Sequence, residues 1–465
     1  MATIDLDSTR TGQVMHLILD RIERRILTPG ARLPSVRAMA ESTGFSKSTV
    51  VEAYDRLAAE GLIRARPGSG FYVSSAALPP LALANDQPQH DRAVDPFWVS
   101  RQSLDAASGA LKPGCGWLPA DWMPTEALRR AFRGLARAED AVLADYGATR
   151  GSLALRRMLM ARFADEGLEV SPEQVLLTMS GTQAIDLICR FLLRPGDTVL
   201  VDDPCYFNFR ALLRAHQVKL VSVPYTPSGP DVASFEAVLE AERPRLYVTV
   251  SGLHNPTGAT MSPQTAHRVL NAAAAFDLTI VEDDIFADFE PEPSARLAAL
   301  DGLNRVIRIG SFSKTLSASL RCGFIAARAD WIEQLVDLQV ATGFGGPCAV
   351  ATEIIASVLA TGFYRKHVEE LRRRLARARR DVGEKLQRIG IEPWLMPRGG
   401  FQLWCRLPDG CDSADVARAA LADNIVLAPG NVFSTTQSAT GFMRFNVAQC
   451  RDPKLMPALQ RAIGR

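Results

Sequence analysis

Several classes of protein are excluded by what the chain has little of. Its 465 residues include only eight cysteines, and no two of them stand in a C-x-x-C pair. Neither a disulfide framework nor a zinc cluster is indicated, and no metal site is expected. The first ten residues, MATIDLDSTR, have no basic start and no apolar run, so a signal peptide is not expected. Reduced thiols in a cytoplasmic protein are the simplest interpretation.

Long apolar runs and an excess of charge are also missing. The most apolar long stretch, residues 347–363, contains Glu353 and many small residues, so it is too short and too polar for a membrane span. Lysine and arginine number 53 against 51 acidic residues. Because the overall charge is nearly balanced, any binding to nucleic acid must depend on a local patch. The length and the 47% of hydrophobic residues allow two or three domains with a large core.

Three zones follow one another along the chain. Residues 1–75 contain three helical patterns and a short hairpin. Residues 76–104 are rich in proline, alanine and polar residues without periodicity, which predicts a linker. From residue 105 to 465, strand-like runs such as QVLLTM, DTVLVDD and LTIVEDD alternate with helical patterns. This alternation predicts a large α/β domain with a mainly parallel sheet, and the part from about residue 345 is expected to form a smaller α+β subdomain.

The first zone has the pattern of a winged helix-turn-helix domain. Apolar residues four positions apart predict its first helix; they are Val14, Ile18, Ile22 and Ile26. A short second helix is expected near residues 35–41, and Ser46 is placed to cap a third. The runs LIRAR and GFYV, joined by a tight turn from Pro67 to Gly70, predict the hairpin wing.

Short polar and basic side chains lie in the first turn of the predicted third helix. Side chains of this kind can contact phosphates and base edges in a major groove. The residues of this turn are Ser46, Lys47, Ser48 and Thr49. Arg37 and Arg66 flank this turn and could hold the DNA backbone, and Gly68 lies in the tight turn of the wing. A generic three-helix domain with solvated polar residues explains the spacing almost equally well.

Longer motifs in this zone separate the two interpretations. The features LPSVR, STV, AYDRLAAEGLI and RPGSGFYV together resemble the DNA-binding domain of the GntR family over roughly the first 75 residues. The resemblance implies binding to double-stranded operator DNA. One departure is Lys47, where the family often has arginine. Since lysine cannot make the planar bidentate contact of arginine, a different base preference is expected.

The stretch GSFSKTLSASLRCGF, residues 310–324, raises a second question. Lys314 is either a surface cation in a polar loop or the covalent anchor of a cofactor. An ε-amine condenses with an aldehyde, and pyridoxal phosphate is the common biological aldehyde. That cofactor needs donors for its phosphate, a carboxylate for its ring nitrogen, a donor for its phenolic oxygen and an aromatic neighbour.

Candidates for each of these needs follow strand-like runs. Gly181 and Thr182 lie in a turn between a strand and a helix, where an anion is favoured. Tyr206, Asn255 and the adjacent acids of VEDDIF each come after a strand. Singly, each has an ordinary explanation, namely a packed aromatic ring, an Asn-Pro turn and two solvated acids. The carboxyl ends of strands are nevertheless where α/β proteins bind ligands.

Taken in order, the motifs SGTQ, DPCY, HNPTG, EDD and SFSK-x6-R resemble the pyridoxal phosphate enzymes of the aminotransferase-like fold type I. The resemblance runs from about residue 110 to the end of the chain. It implies the following roles: Lys314 forms the Schiff base; Gly181, Thr182, Gln183, Ser311 and Arg321 bind the phosphate; Tyr206 covers the ring; Asn255 bonds to the phenolic oxygen; Asp283, rather than Asp284, pairs with the ring nitrogen; Arg444 binds an α-carboxylate.

The chain departs from that family at one informative place. Enzymes with an EDD segment usually have a tyrosine two or three positions after the first aspartate, where this chain has Ile285 and Phe286. Phenylalanine keeps the shape and loses the hydroxyl, so a changed pKa of the lysine–cofactor link and weaker turnover are expected. The usual APG after the lysine is SAS here, which should have a mild effect.

A DNA-binding wing joined to an aminotransferase-like body resembles the MocR branch of GntR-type transcriptional regulators over nearly the whole chain. The resemblance implies a regulator that senses an amino compound or the cofactor. It also implies a homodimer in which each DNA-binding domain packs over the partner's body. Two alternatives stay open: a working aminotransferase with an incidental N-terminal domain, and a constitutive DNA binder whose body only dimerises.

Overall fold

Residues 9–23, 27, 30–66, 68–74 and 94–464 are described by a computed structural model of the chain. They belong to two units, which divide between Asp91 and Arg92. Three parts of the sequence predictions fall outside the described residues: Ile26 in the first helix, Pro67 in the wing turn, and positions 76–93 of the linker.

The smaller unit has the predicted order of helices and strands. These are α1 (Arg10–Glu23), α2 (Val36–Thr43), α3 (Lys47–Ala59), β1 (Ile63–Arg66) and β2 (Gly70–Val73). Ser35 caps α2, and Gly44 ends it at a φ of +71°, a left-handed conformation that glycine adopts without strain. The helices and the hairpin share one buried core that includes Val14, Ile18, Met39, Tyr54 and Leu57. The helix-turn-helix with a wing is therefore confirmed.

An eight-stranded sheet forms the centre of the larger unit. In spatial order its strands are β3 (Val175–Thr178), β10 (Gly323–Ala326), β9 (Val306–Ser311), β8 (Thr279–Asp283), β7 (Leu246–Thr249), β4 (Thr198–Asp203), β5 (Lys219–Thr226) and β6 (Gly229–Pro230). The neighbours from β9 to β5 are parallel, whereas β10 and β6 run antiparallel to theirs. The interior strands β7 and β10, each with a neighbour on both sides, are buried along their whole length, as expected for a sheet covered on both faces.

Helices cover the sheet and connect its strands. They are α4 (Pro96–Asp105), α5 (Thr125–Leu135), α6 (Asp140–Ala144), α7 (Leu153–Asp165), α8 (Gly181–Leu192), α9 (Phe207–Ala215), α10 (Val232–Glu242), α11 (Pro263–Ala275), α12 (Leu297–Asp301), α13 (Ala329–Gly343) and α14 (Ala349–Ala360). Within the described part of the chain, no helix is both long enough and apolar enough to cross a membrane. The predicted α/β fold with a mainly parallel sheet is confirmed.

A second sheet lies in the carboxyl-terminal part of this unit. Its antiparallel strands follow the order β11 (Glu392–Pro393), β12 (Gln402–Arg406), β14 (Phe442–Asn446) and β13 (Ala428–Pro429). Three helices accompany it: α15 (Phe363–Arg388), α16 (Ser413–Ala422) and α17 (Leu455–Ala462). The residues before α5 join this subdomain, because Leu111 pairs with Ile425 and Asn446 N–H donates to the Pro113 carbonyl.

The structure corrects the predicted carboxyl end of the linker. Residues 94–104 belong to the larger unit, and most of them form α4. Asp95 caps this helix by accepting from the N–H of Trp98, and Pro96 occupies the first turn, where its missing N–H costs nothing. Trp98 and Val99 then enter the core. The apolar face of α4 is short and shows little periodicity. The sequence pattern therefore did not distinguish this helix from the predicted linker, which is rich in alanine and proline.

Candidate functional site

The first turn of α3 forms a cluster of hydroxyl groups on the smaller unit. Ser46 Oγ accepts from the backbone N–H of Thr49 at 3.2 Å, and it lies 2.8 Å from both Ser48 Oγ and Thr49 Oγ1. Lys47 and Ser48 are exposed, and no acidic residue lies in this turn. The positive end of the helix dipole is therefore combined with short donors and one cation, an arrangement suited to phosphate.

The predicted flanking residues are also exposed. Arg66 lies on β1 with its guanidinium 4.4 Å from the centre of the Tyr72 ring, which restricts its orientation. Arg37 forms an exposed ion pair with Glu41 at 3.0 Å, so part of its charge is already offset. Gly68 adopts a φ of +70° in the wing turn. Direct DNA contacts of these residues stay predictions.

A cavity of about 330 Å³ lies at the carboxyl ends of the large sheet. Ten residues were predicted to bind either the cofactor or the α-carboxylate of an amino compound. The cavity brings eight of them together: Gly181, Thr182, Tyr206, Asn255, Asp283, Ser311, Lys314 and Arg321. They arrive from the ends of β3, β4, β7, β8 and β9 and from the loop after β9. Gln183 and Arg444 do not line the cavity. The volume is in the range of small-molecule sites.

Lys314 extends its amine into this cavity. Its Nζ atom donates to the backbone carbonyl of Gly116 at 2.6 Å. Burial, and then the nearby charge of Arg444, lower the pKa of Lys314 to about 8. A lower pKa leaves more of the amine neutral near physiological pH, and the neutral amine is the nucleophile toward an aldehyde.

The two adjacent aspartates have different surroundings. Burial raises the pKa of Asp283 to about 7, against the stabilising backbone N–H of Ile285. Asp283 lines the cavity and has no cationic partner within ion-pair distance among the described residues. Asp284 instead pairs with Arg296 at 2.8 Å and with Arg308. Asp283 is thus the carboxylate available to a protonated ring nitrogen.

Arg444 lies behind the cavity wall rather than in it. Only 1% of its surface is exposed, and it donates to Asn255 Oδ1 at 3.0 Å and to the Gly114 carbonyl at 2.6 Å. Its Nε atom has no hydrogen-bond partner among the described residues. A β-carbon on Gly116 would lie 3.7 Å from Arg444 Nη2 and 3.9 Å from Lys314 Nζ. Both cations therefore lie close to the position that a side chain at Gly116 would occupy.

The lining of the cavity includes several hydroxyl groups. Ser311 Oγ lies 2.7 Å from Ser313 Oγ, and Ser180, which caps α8, lines the same region. Gln183 turns away, because its side-chain oxygen accepts from the backbone N–H of Met179 at 2.6 Å. Ser180 and Ser313 were not singled out from the sequence, although both belong to the quoted motifs SGTQ and SFSK.

These surroundings fit pyridoxal phosphate. An arginine and several hydroxyl groups on the lining suit a phosphate, a buried carboxylate without an ion-pair partner suits a pyridine nitrogen, and an amine of lowered pKa suits an aldehyde. Asn255 adds a further match, because its oxygen is occupied by Arg444 and its amide nitrogen remains to donate toward the cavity. Phe286 lines the cavity and contributes no hydroxyl group.

Comparisons with known proteins support the family resemblance of both the N-terminal region and the larger C-terminal region. Residues 118–461 match the family described as aminotransferase class I and II, and residues 10–73 match the bacterial regulatory proteins of the gntR family. The fold and this family imply pyridoxal phosphate as the cofactor.

Relatives and a solved structure cover most of the chain. The uncharacterized HTH-type transcriptional regulator YdcR of Escherichia coli is 29% identical over 94% of this chain and 94% of its own length. The probable rhizopine catabolism regulatory protein MocR of Rhizobium meliloti is 31% identical over 91% of this chain and 87% of its own. The structure of LysN, the α-aminoadipate aminotransferase of Thermus thermophilus, superposes with a TM-score of 0.71 at 27% identity and covers 78% of this chain and 94% of that one.

Proposed function

Since the chain belongs to the GntR-type DNA-binding regulators that carry an aminotransferase class I and II domain, we propose that an amino compound bound in the cavity regulates its binding to operator DNA. The observation that supports this most is that Lys314, Asp283 and Arg321 line one cavity. A body that served only for dimerisation would not need these three groups together.

The residues of the cavity divide the work of holding the cofactor. When bound, pyridoxal phosphate supplies an aldehyde that condenses with amines and a ring that accepts electrons. Lys314 would anchor the aldehyde carbon, and Asp283 would hold the proton of the ring nitrogen. Asn255 would donate to the phenolic oxygen, and Tyr206 would cover the ring. Ser311, Arg321 and the turn at Gly181 and Thr182 would bind the phosphate.

Arg444 is the proposed partner of the effector's α-carboxylate. To bind it, the guanidinium exchanges its hydrogen bond to the Gly114 carbonyl for one to the ligand. The unpaired Nε atom offers an additional donor. An effector that makes these contacts in only one arrangement of the segment around Gly114 shifts the protein toward that arrangement. Such a shift would alter how the DNA-binding domain engages its operator.

Exposed aromatic residues support a homodimer. Tyr146 and Phe344 form an edge-to-face pair with ring centres 4.9 Å apart, yet 81% and 67% of their surfaces are exposed. Large exposed apolar groups that lie together are typical of an interface. A second copy of the chain would bury them and would supply a second DNA-binding domain for the other half of an operator.

Transamination is the less supported alternative. The residues proposed to hold the cofactor permit it, but Phe286 stands where a hydroxyl group is usual. Phe286 packs against Phe289 and Phe401, so its ring is fixed in an apolar cluster. Without that hydrogen-bond donor we expect slow turnover.

A DNA-binding assay with the cofactor-loaded full chain tests the proposal. Affinity for the DNA upstream of the protein's own coding sequence should change when amino acids are added. Lys314→Ala should keep DNA binding and lose the response. Lys112→Ala, which removes a lysine bonded to the Ser103 carbonyl, is the matched control. Absence of DNA binding, or steady transamination at enzyme-like rates, would overturn the proposal.

A further inference from the structure

Few groups on the cavity lining carry a full charge, and each of them has a proposed partner in the cofactor. Apart from the phenol of Tyr206, the ionisable groups on its lining are Lys314, Arg321 and Asp283. These three have proposed partners in the aldehyde, the phosphate and the ring nitrogen of the cofactor. Arg444, behind the wall, is the proposed partner of the α-carboxylate. Among the described residues, no charged group of the lining is left for the side chain of an effector.

The remaining lining is largely apolar. Leu104 lies on the last turn of α4, and 72% of its surface is exposed. Trp117 comes directly after Gly116, Phe209 comes from α9, and Phe286 follows the end of β8. Removing such surfaces from water is favourable when the ligand is apolar. A charged ligand group placed against them would lose its hydration without gaining a partner.

One uncharged polar group interrupts this surface. Asn208, near the start of α9, lines the cavity. Its side chain is half-buried, and it forms no hydrogen bond with the other described residues, so it is available to a ligand. An amide can bond to a hydroxyl or amide group of a ligand, and it does not compensate a full charge. The lining therefore tolerates a neutral polar atom and disfavours an ion.

We propose that the effector is an α-amino acid whose side chain is uncharged and mainly apolar, and that Leu104 and Trp117 contact this side chain. The inference rests on the proposed function and adds the chemical class of the ligand. Because every α-amino acid carries the same ammonium and carboxylate groups, the choice between amino acids depends on the side chain alone. Leu104 also has a particular position, since α4 is the first helix of the larger unit among the described residues.

The test is a spectral titration of the cofactor-loaded full chain with leucine, phenylalanine, glutamate and lysine. The half-saturating concentrations of leucine or phenylalanine should be lower than those of glutamate and lysine by about tenfold or more. Leu104→Arg adds a cation at an exposed position and should improve the response to glutamate relative to leucine. Leu300→Arg, at another exposed leucine (56% exposed) on α12, should leave the ratio unchanged.

Three results would overturn the inference. A preference of the unaltered protein for glutamate or lysine would show that a charged group from elsewhere, such as a partner subunit, reaches the side chain. Equal ratios in Leu104→Arg and Leu300→Arg would remove Leu104 from the site. A spectrum that no amino acid changes would remove the ligand class altogether. The proposed function fails differently, namely if the chain does not bind its operator or if no amino compound alters that binding.

Discussion

Arg444 Nη1 donates a hydrogen bond to Asn255 Oδ1 at 3.0 Å. This bond orients the amide of Asn255, because an amide whose oxygen is held has only its nitrogen left to present to the cavity. The residue proposed to bind the effector's carboxylate is therefore in direct contact with the residue proposed to bind the cofactor's phenolic oxygen.

Arg444→Lys should separate these two roles. A lysine cannot make the two contacts of a guanidinium, so the half-saturating concentration of an amino acid should rise by about tenfold or more, while the visible absorbance of the bound cofactor persists. Arg418→Lys, at an exposed arginine of the same subdomain that pairs with Asp415, serves as the control. An unchanged titration of Arg444→Lys would remove Arg444 from effector binding.

Asp283→Asn and Asp284→Asn should change stability in opposite directions. The pKa of Asp283 is raised to about 7, above its ordinary value of 3.8. The folded state therefore binds this proton more tightly than the unfolded state. The contribution of the bound proton to the free energy of unfolding is lost as the pH rises through 7. In the cofactor-free protein, Asp283→Asn should raise the free energy of unfolding above pH 7 by up to about 4 kcal/mol and change it little near pH 4.

Asp284→Asn, in contrast, leaves Arg296 and Arg308 without this buried anionic partner. It should lower the free energy of unfolding by about 3–5 kcal/mol. Urea denaturation of the cofactor-free proteins at pH 5 and pH 8 measures both effects. A similar loss of stability in the two variants would contradict the different environments of the two carboxylates. Only Asp283→Asn is expected to change the absorbance of bound cofactor directly.

The capture of the cofactor by the cofactor-free protein should depend on the neutral fraction of Lys314. Burial lowers the pKa of this amine to about 8, so the rate of capture should rise with pH and level off slightly above 8. Replacing the nearby cation in Arg444→Gln should raise the pKa and move this midpoint upward. Stopped-flow absorbance at a series of pH values measures the rate. A midpoint near 10.5, the ordinary value for lysine, would contradict the burial of the amine.

Lys47 and Thr49 should contribute to DNA affinity more than a cation on the other side of the same helix. The double change Lys47→Ala with Thr49→Ala is expected to weaken operator binding by roughly 2–4 kcal/mol and to reduce the salt dependence. Arg56 lies nine positions after Lys47, about half a turn away around α3, and pairs with Glu52. Fluorescence anisotropy should show almost no change for Arg56→Ala; equal losses would reject α3 as the recognition helix.

Much of the architecture was accessible from the sequence because it depends on local signals. Ser46 was recognised as a helix cap from its position before an apolar period, and it caps α3 as predicted. The motif around Lys314 was recognised because a cofactor with several functional groups requires several residue types in a fixed order. The family comparisons confirm the fold class and the cofactor.

Other features depend on distant contacts that no local pattern reveals. Gln183 belongs to a phosphate-binding motif, yet its side chain caps the N–H of Met179, which only the geometry of the turn determines. Leu104, Trp117 and Asn208 stand in stretches without a motif, and only folding brings them to one cavity. Helix α4, which begins at Pro96, was not predicted, because the residues around it have a composition typical of linkers.

The bond between Arg444 and the Gly114 carbonyl joins residues 330 positions apart. Asn446, two residues later, donates to the carbonyls of Cys115 and Trp117. At about 5–20 residues per second, a ribosome adds those 330 residues in roughly 15 to 65 seconds. Throughout that time these three carbonyls can bond only to water or to temporary partners. This wall of the cavity is therefore among the last parts of the protein to form during synthesis, well after the DNA-binding domain has left the ribosome.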